Sequence, residues 1–585
     1  TSKSLLPVGG EYREDFTRND NYTTRLQFDF TKFLDCDSKH LINAALGFEL
    51  ASSKYDGKRQ THRGYLPERG KIFAEIDPDV YPEFTKWKMK DENARSIVTD
   101  NIQNEMSAYF TLTYTLNNAY SFNFNTRADA SNKFGDRSNE KILPVWSVSA
   151  SWDMKANILK DISWVNGLSV RGSFGYQGNM LSNQTPELII KKGNMNNYFE
   201  EYESNIEHYP NPNLRWEKTG AFNGSVDFAL LDNRIRGTLS YFYKKTKDAF
   251  LSKTVADING VETYVINSGT LENKGFEISF NFTPFKAGGE VGGFRWDIDP
   301  QIGQVLNTLL TKAVNNNSFE KEQDEIFYTN YLDGSALIEG EPLNTFFSYK
   351  FMGLSPEDGR PMYYDVEKEH EEEYLEMDRE EVFRRVMKVS GTRVPVLQGG
   401  VTNTFSYKRM SLSLNFAYSF GSKIRLMRLY GANSNGTTVA PLPERNVRRE
   451  FVKRWQRPGD EKHTNIPGLL PNSEYASTLR PWWKTGNNNS INFADNIWQM
   501  YDNSDIRTVS GNYLKLQSFV FNYTLPDEFC KKLLLKSAYI GVSGSNLFTI
   551  CSSKLKGQDP TQSGTTDQLN LSIRPSYSVN LGVTF

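Results

Sequence analysis

The chain has 585 residues, which is enough for several soluble domains or for one very large β-barrel. Its 68 Lys and Arg balance 70 Asp and Glu, so net charge gives no indication of a nucleic-acid partner or an acidic substrate. The mean hydropathy of -0.58 excludes a helical membrane protein, which needs about 18 consecutive apolar residues, but it does not exclude a membrane barrel.

Cysteine and histidine are rare and scattered. The three cysteines (Cys36, Cys530, Cys551) and the five histidines show no metal-ligand spacing and no disulfide framework. We therefore expect no metal site and no cofactor. Thr1–Ser4 resembles no export signal, so an exported protein would need one upstream.

Alternation of apolar and polar residues over about ten positions recurs along the chain and is typical of two-faced β-strands. It predicts about fifteen strands, near 22–33, 40–53, 104–116, 120–130, 143–154, 167–177, 218–231, 235–248, 271–283, 294–306, 400–407, 410–421, 513–525, 538–547 and 575–585. The phase slips near Gln517 and Ser518, which predicts a β-bulge there.

The hairpin 104–130 decides between a soluble sandwich and a membrane barrel. In its second strand, Arg127 and Asp129 fall on the face opposite Phe122 and Phe124. Burying these charges in a dry core would cost several kcal/mol each unless they were paired. A water-filled lumen removes that cost. We therefore predict an all-β transmembrane antiparallel barrel with an apolar lipid face that includes Phe110, Leu112, Phe122, Phe124, Leu412, Leu414 and Phe416.

The connections alternate between two lengths. Short turns are predicted at 34–39, 117–119, 155–166, 232–234, 284–293, 408–409 and 526–537. Long polar loops are predicted at 54–103, 178–217, 307–399, 422–512 and 548–574, with shorter ones at 131–142 and 249–270. Outer-membrane barrels place short turns in the periplasm and long loops outside. The first strand would then run inward, with residues 1–21 in an outer loop. An odd strand count that begins there predicts an incomplete barrel.

Several segments resemble SusC-like TonB-dependent outer-membrane transporters. They are Asn213–Glu217, Glu272–Glu277, Gly353–Pro361, Gly399–Lys408, Arg454–Asp460, Tyr513–Leu516, Asn522–Pro526, Ser543–Thr549 and Val583–Phe585. The resemblance implies a 22-stranded barrel with an N-terminal plug, of which residues 1–585 would be strands eight to twenty-two. The plug, the TonB box and about seven strands would then lie on a separate N-terminal piece.

The resemblance also implies a function, namely active import of oligosaccharides or peptides. The partners would be a SusD-like lipoprotein lid over the large loops 307–399 and 422–512, outer-membrane lipid, and the TonB–ExbB–ExbD complex acting through the missing part. Two alternatives stay open: a passive porin-like barrel and a surface-binding adhesin barrel. No catalytic motif stands in a plausible context, so we expect no enzyme.

Aromatic residues in the outer loops are candidate ligand contacts, because aromatic faces stack on sugars and also pack loops or dock partners. The candidates are Trp482, Trp483, Tyr328, Tyr331, Tyr198 and Phe199. Trp152, Tyr120 and Tyr577 lie near strand ends and are expected in the interfacial girdle. The acidic run from Glu367 to Glu381 is expected to form a solvated loop helix that begins near Asp365 and whose Tyr374, Met377 and Phe383 pack inward.

Overall fold

The structure is a computed structural model that carries all side chains. It describes residues 9–75, 77, 97–132, 142–179, 188–196, 198–199, 201–211, 214–254, 263–287, 293–311, 328–365, 370, 373–374, 377, 379–430, 449–468, 497–555, 557–561 and 573–585. The chain forms two compact units, one of residues 1–117, 121–149 and 175–217, and one of residues 118–120, 150–174 and 218–585.

Strands dominate both units. They are β1 Gly10–Phe33, β2 His40–Leu66, β3 Ile72–Phe73, β4 Ile97–Leu116, β5 Tyr120–Ser131, β6 Ile142–Asp153, β7 Val165–Asn179, β8 Ile189–Asn196, β9 Glu201–His208, β10 Glu217–Leu230, β11 Ile235–Thr254, β12 Thr263–Lys286, β13 Phe294–Thr311, β14 Thr345–Tyr349, β15 Phe351–Leu354, β16 Pro361–Tyr363, β17 Met387–Thr392, β18 Leu397–Tyr407, β19 Met410–Phe420, β20 Lys423–Arg425, β21 Thr508–Ser510, β22 Tyr513–Thr524, β23 Ser537–Cys551 and β24 Ser576–Thr584. All fifteen predicted strands are confirmed.

Helices are few and short. They are α1 Met154–Asn157, α2 Tyr328–Asp333, α3 Arg379–Val386, α4 Ile497–Asp502 and α5 Asp527–Lys532, with 3-10 turns at Pro67–Arg69, Arg449–Lys453, Asp460–Lys462, Asp505–Arg507 and Ser553–Leu555. Among the described residues, no helix is both long and apolar enough to cross a bilayer.

In the first unit, β1, β2 and β4 pair in sequence as antiparallel neighbours and show the predicted two faces. Leu26, Phe48 and Ala108 stand opposite one another on one face, while Arg25, Glu49 and Ser107 do so on the other. The apolar face is exposed, with Leu26 at 56% and Phe28 at 59% of full exposure. Each large apolar side chain gains about 1.5–3 kcal/mol when it is removed from water. This face therefore requires an apolar solvent.

The opposite face of these strands carries charges that are paired. Arg25 Nε donates to Glu49 at 2.7 Å, and Arg127 Nε donates to Asp129 at 2.6 Å. Arg127 also donates to the Ser107 hydroxyl at 2.7 Å. The predicted position of Arg127 and Asp129 on a polar face is confirmed, and the pairing lowers the cost of holding charges on a sheet surface.

In the second unit, an antiparallel sheet runs in the order β10, β11, β12, β13, β18, β19, β22, β23 and β24. One face is apolar, as Leu412 stands opposite Phe405 and Phe521, and Leu414 stands opposite Phe519. The pairing shifts register between Leu516 and Ser518, which confirms the predicted bulge. The short connections at 408–409 and 231–234 confirm two of the predicted tight turns.

Several strands are longer than predicted. β1 reaches back to Gly10 and β2 continues to Leu66, so much of the sequence predicted as outer loop at 1–21 and 54–103 is a paired ribbon. At about 3.4 Å per residue, the 24 residues of β1 extend far beyond an apolar band of about 25 Å. The extension was missed because both of its faces are polar outside the band, so the alternation disappears there.

Candidate functional site: the loop subdomain and the polar wall

The two large predicted loops fold together into one body, which we call the loop subdomain; its described parts are residues 328–365, 370, 373–374, 377, 379–394, 422–430, 449–468 and 497–512. Two small sheets, β14 with β17 and β15 with β16, lie in the first loop, and β20 pairs with β21 in the second. Both loops contribute to one hydrophobic core. Its members include Tyr331, Phe347, Tyr349, Tyr363, Tyr374, Val382, Phe383, Val386, Met387, Leu429, Phe451, Met500 and Tyr501.

A buried arginine joins the two loops. Arg425 on β20 is 6% exposed, and its Nη2 donates to the carbonyl oxygens of Leu332 at 3.2 Å and Phe347 at 2.8 Å. Its guanidinium also lies 5.3 Å from the centre of the Phe346 ring. Since a buried guanidinium needs its donors satisfied, the second loop can bury Arg425 only with the first loop in place.

A second buried ionic group holds the turn after β20. The Asp502 carboxylate is fully buried and accepts the backbone N–H of Leu429 at 2.6 Å and of Tyr430 at 2.9 Å. Arg507 donates to Glu450 at 2.8 Å and lies 4.0 Å from Asp502. Burial raises the pKa of Asp502 to about 6, against the lowering effect of the two N–H groups and of Arg507.

The described part of the acidic segment packs as predicted. Tyr374 and Phe383 are buried in the core and Met377 packs against it, which confirms the inward-facing set. Glu373 and Tyr374 are helical, and α3 begins at Arg379; residues 366–369, where the helix is predicted to begin, lie outside the described residues. Asp365 accepts a 2.5 Å hydrogen bond from Arg385, which also donates to Glu373 at 2.5 Å.

The structure places the predicted ligand-contact residues in different environments. Tyr331 is fully buried in the loop core, in edge-to-face contact with Phe347 and Phe383, so it serves packing of the loop subdomain. Tyr328 begins α2. Tyr198 and Phe199 are 87% and 67% exposed and form an edge-to-face pair at 4.9 Å. Trp482 and Trp483 lie outside the described residues.

An aromatic cluster that the sequence did not indicate lies at the outer end of the β1–β2 ribbon. The rings of Tyr12, Tyr65 and Phe73 have centroids 5.0–5.8 Å apart, and His62 lies 5.5 Å from Phe73. Tyr12 is distant in sequence from the other three, and all four lie in regions predicted as loop. Only the strand register brings them together, so no local signal could have revealed the cluster.

At strand ends, Tyr120 stacks on Trp152 at 5.8 Å, and Tyr577 is 70% exposed. Both observations suit the positions expected of girdle residues. Within the described part of the chain, no group of three or more His, Cys, Asp or Glu is placed to hold a metal ion.

The polar face of the second unit, which we call the polar wall, changes character along its strands. Near the short turns its groups bond to one another: Thr283 donates to Asp297 at 2.6 Å, and Asp227 accepts from Arg171 and Thr238. Asn281 likewise bonds to Asp299. Several polar groups of the wall, including Thr238, which also lines the groove described next, therefore bond to one another.

A groove of about 600 Å³ crosses the polar wall, from the short-turn half of β11 to the loop-subdomain end of β18 and β22. Glu277, Ser279, Gln301 and Gln398 line it, and Tyr513 stands at one end. The four named polar side chains are exposed. We call this feature the mouth groove.

Comparison with known proteins gives the family. The sequence profile described as "TonB dependent receptor-like, beta-barrel" matches residues 3–358, which is more than half of the chain. The chain belongs to this family. TonB-dependent receptor P3 of Formosa agariphila is 25% identical over 468 residues, covering 78% of this chain and 42% of that protein. TonB-dependent receptor SusC of Bacteroides thetaiotaomicron is 29% identical over 273 residues, covering 44% and 26%.

Solved structures share the fold. The RagAB peptide transporter superposes with a TM-score of 0.73 at 17% identity, covering 98% of this chain and 56% of that one. The open-open state of the RagAB peptide importer gives a TM-score of 0.74. The chain is a SusC-like transmembrane β-barrel of the Gram-negative outer membrane, as predicted. It spans about two fifths or less of the length of the curated relatives it matches.

Proposed function

We propose that this chain forms the barrel wall and outer loops of an active importer of oligomeric nutrients, either oligosaccharides or peptides. A SusD-like lipoprotein lid would close over the loop subdomain. A plug and a TonB contact, coupled to ExbB and ExbD, would come from sequence corresponding to the unmatched part of the relatives. The fifteen main strands of this chain would be strands eight to twenty-two of the complete barrel.

The observation that carries the proposal is the loop subdomain itself. A passive pore does not require its outer loops to share a core, yet here two long loops fold into one body with its own core and buried ionic groups. Long ordered loops of this kind are usually functional. A fixed surface above a polar wall suits a protein that captures cargo outside and passes it inward.

The test is uptake by cells that express the complete transporter with its lipoprotein partner. Labelled oligosaccharide and peptide mixtures would be offered with TonB present and with TonB deleted. An importer accumulates one class of cargo only when TonB is present. Accumulation that persists without TonB would support a porin instead, and surface binding without accumulation in either strain would support an adhesin.

A further inference from the structure

An apolar groove of about 620 Å³ lies on the lipid face of the second unit, across β7, β10, β11 and β12. We call it the lipid-face groove; its lining includes Val170, Gly172, Phe222, Gly224, Tyr241 and Phe276. The strand register fixes the face. Phe282 on β12 stands in one row with Ile298, Asn403 and Leu414. Phe276 has the same parity on β12 and stands opposite Tyr241, which stands opposite Gly224.

Two glycines form the floor of the lipid-face groove and leave it open. Among the described residues, a methyl group added at Gly172 would have no neighbour within 4 Å, and one at Gly224 would meet only the Phe222 ring, at 3.6 Å. Gly237 lies on the same face of β11, but a methyl group there would lie 2.6 Å from the Phe280 ring. The protein therefore fills the space over Gly237 with its own ring and leaves the other two glycines open. Glycine inside a strand often marks a place where a ligand approaches the backbone closely.

Lysines stand on the same face at the long-loop end of the groove. By the strand register they are Lys218, Lys245, Lys247 and Lys274. Glu272 stands among them and accepts from Lys274 at 2.8 Å. Within the described residues, Lys245 and Lys247 form no ion pair and no side-chain hydrogen bond. Lys218 stands directly opposite Lys247, and like charges in that position destabilise a sheet. An anion from outside the protein would therefore stabilise this cluster.

The lysines lie at the height of the outer-leaflet headgroups. β11 begins at Ile235, directly after the short turn 231–234, so this end of the strand is periplasmic. Lys245 follows ten residues later. At about 3.4 Å per residue and a tilt of about 40°, ten residues rise about 26 Å through the membrane, and the apolar band of such a barrel is about 25 Å tall. Lys245 therefore reaches the outer edge of the band, and the groove around Tyr241 lies within the band just below it.

We propose that this face binds one phosphorylated glycolipid of the outer leaflet, with an acyl chain in the lipid-face groove and a phosphate among the lysines. The aromatic and aliphatic walls of the groove suit an acyl chain. Lysine ammonium groups bind phosphate as point charges, and basic clusters at a membrane surface recognise anionic lipid headgroups. In the outer leaflet of a Gram-negative bacterium, the anionic lipids are acylated sugars that carry phosphate. The site lies outside the lumen, so it does not depend on the proposed import function.

A lipid fits this face better than cargo or a protein lid. Cargo would pass through the lumen, and the residue that faces the lumen beside Lys245 is Lys244, whose ammonium lies 5.6 Å from the centre of the Phe242 ring. A lid would cover the loops above the membrane, whereas Gly224 lies within the apolar band. The lipid-face groove is also continuous with the apolar face that acyl chains cover in the bilayer.

The test measures lipid bound to the complete transporter, purified in a non-ionic detergent and incubated with one lipid at a time. The probes are phosphorylated lipid A and the same lipid A without phosphate, and native mass spectrometry counts the molecules bound. One variant combines Lys245→Gln with Lys247→Gln, which removes charge, and the other is Gly224→Leu, which fills the groove. The control is Lys244→Gln, which lies on the same strand but faces the lumen. Heat-modifiable gel migration would verify that each barrel is assembled.

We expect the wild type to retain a single phosphorylated lipid A, the double lysine variant and Gly224→Leu to bind it about ten-fold more weakly, and the control to stay within about two-fold. Lipid A without phosphate should bind the wild type as weakly as phosphorylated lipid A binds the lysine variant. Equal binding of the two lipids, lysine variants that bind like the wild type, or equal weakening by Lys244→Gln would overturn the proposal. So would a stable dimer that covers this face and holds no lipid.

Discussion

The membrane sheet and the loop subdomain differ in how they accommodate apolar and charged side chains. In the sheet, every second residue faces lipid, and charges such as Arg127 stay on a polar face beside Glu49 and Asp129. In the loop subdomain, Asp502 and Arg507 are buried with their partners drawn from distant segments. The stability of the sheet therefore comes from many contacts between neighbouring strands. The stability of the subdomain depends on a few contacts between segments that are distant in sequence.

The largest effect should come from removing the Asp502 carboxylate. Asp502→Ala leaves the N–H groups of Leu429 and Tyr430 without their acceptor and Arg507 without one of its nearby anions. Breaking a buried ionic group in this way costs on the order of 3–5 kcal/mol. We expect limited proteolysis to cut the loop subdomain while the barrel stays assembled. A variant as resistant as the wild type would show that Asp502 does not hold the subdomain.

A charge placed on the lipid face should be nearly as costly for the sheet. Leu414→Arg near the middle of the bilayer is expected to destabilise the barrel by about 2–4 kcal/mol, while Ser413→Arg, on the opposite face of the same strand, should cost much less. Folding into lipid vesicles, followed by urea titration, would measure both. Equal destabilisation by the two variants would contradict the register of β19.

These two variants also show what could be predicted from sequence. Leu414 and Ser413 differ by one position in a period-2 pattern, so a window of about ten residues suffices to recognise a strand and to assign its two faces. All fifteen strands were predicted in this way. Asp502 and Arg425 carry no such signal, because their partners lie about 70–90 residues away. The pattern therefore predicted that 307–399 and 422–512 are large loops, but it could not show that they share one core.

The mouth groove could not be predicted for the same reason. Glu277, Gln301 and Gln398 become neighbours only through the register of β12, β13 and β18. The aromatic candidates, chosen by residue type, included Tyr331, which the structure buries in the loop core. Residue type suggests a ligand contact, but exposure and register decide whether the side chain can make it.

The pH dependence of the free energy of unfolding should also differ between the membrane sheet and the loop subdomain, by less than the two effects above. The pKa of Asp502 is raised to about 6 in the folded subdomain from an ordinary 3.8, so the folded state binds more protons than the unfolded state between these values. The free energy of unfolding of the subdomain should therefore rise, by on the order of 1–3 kcal/mol, as pH falls from about 7 to about 4. Hydrogen exchange across α4 would measure it, and Asp502→Asn should abolish the dependence.

The smallest effect is expected in the β1–β2 ribbon. Arg59 bonds to Asp15 at 2.5 Å, but both side chains are about half exposed. Exposed pairs contribute little because water screens them. Arg59→Ala should leave the unfolding transition of the barrel unchanged within error. A clear loss of stability would show that the ribbon, unlike the rest of the sheet, depends on single contacts.

The most direct test of the comparison is hydrogen exchange of the complete transporter carrying Arg425→Ala. Because Arg425 donates to carbonyl oxygens of the first loop from a strand of the second, we expect peptides containing Phe347 and peptides containing Tyr501 to lose protection together, while β18 and β19 keep theirs. Loss confined to the second loop, or equal loss throughout the sheet, would contradict a loop subdomain that folds as one unit.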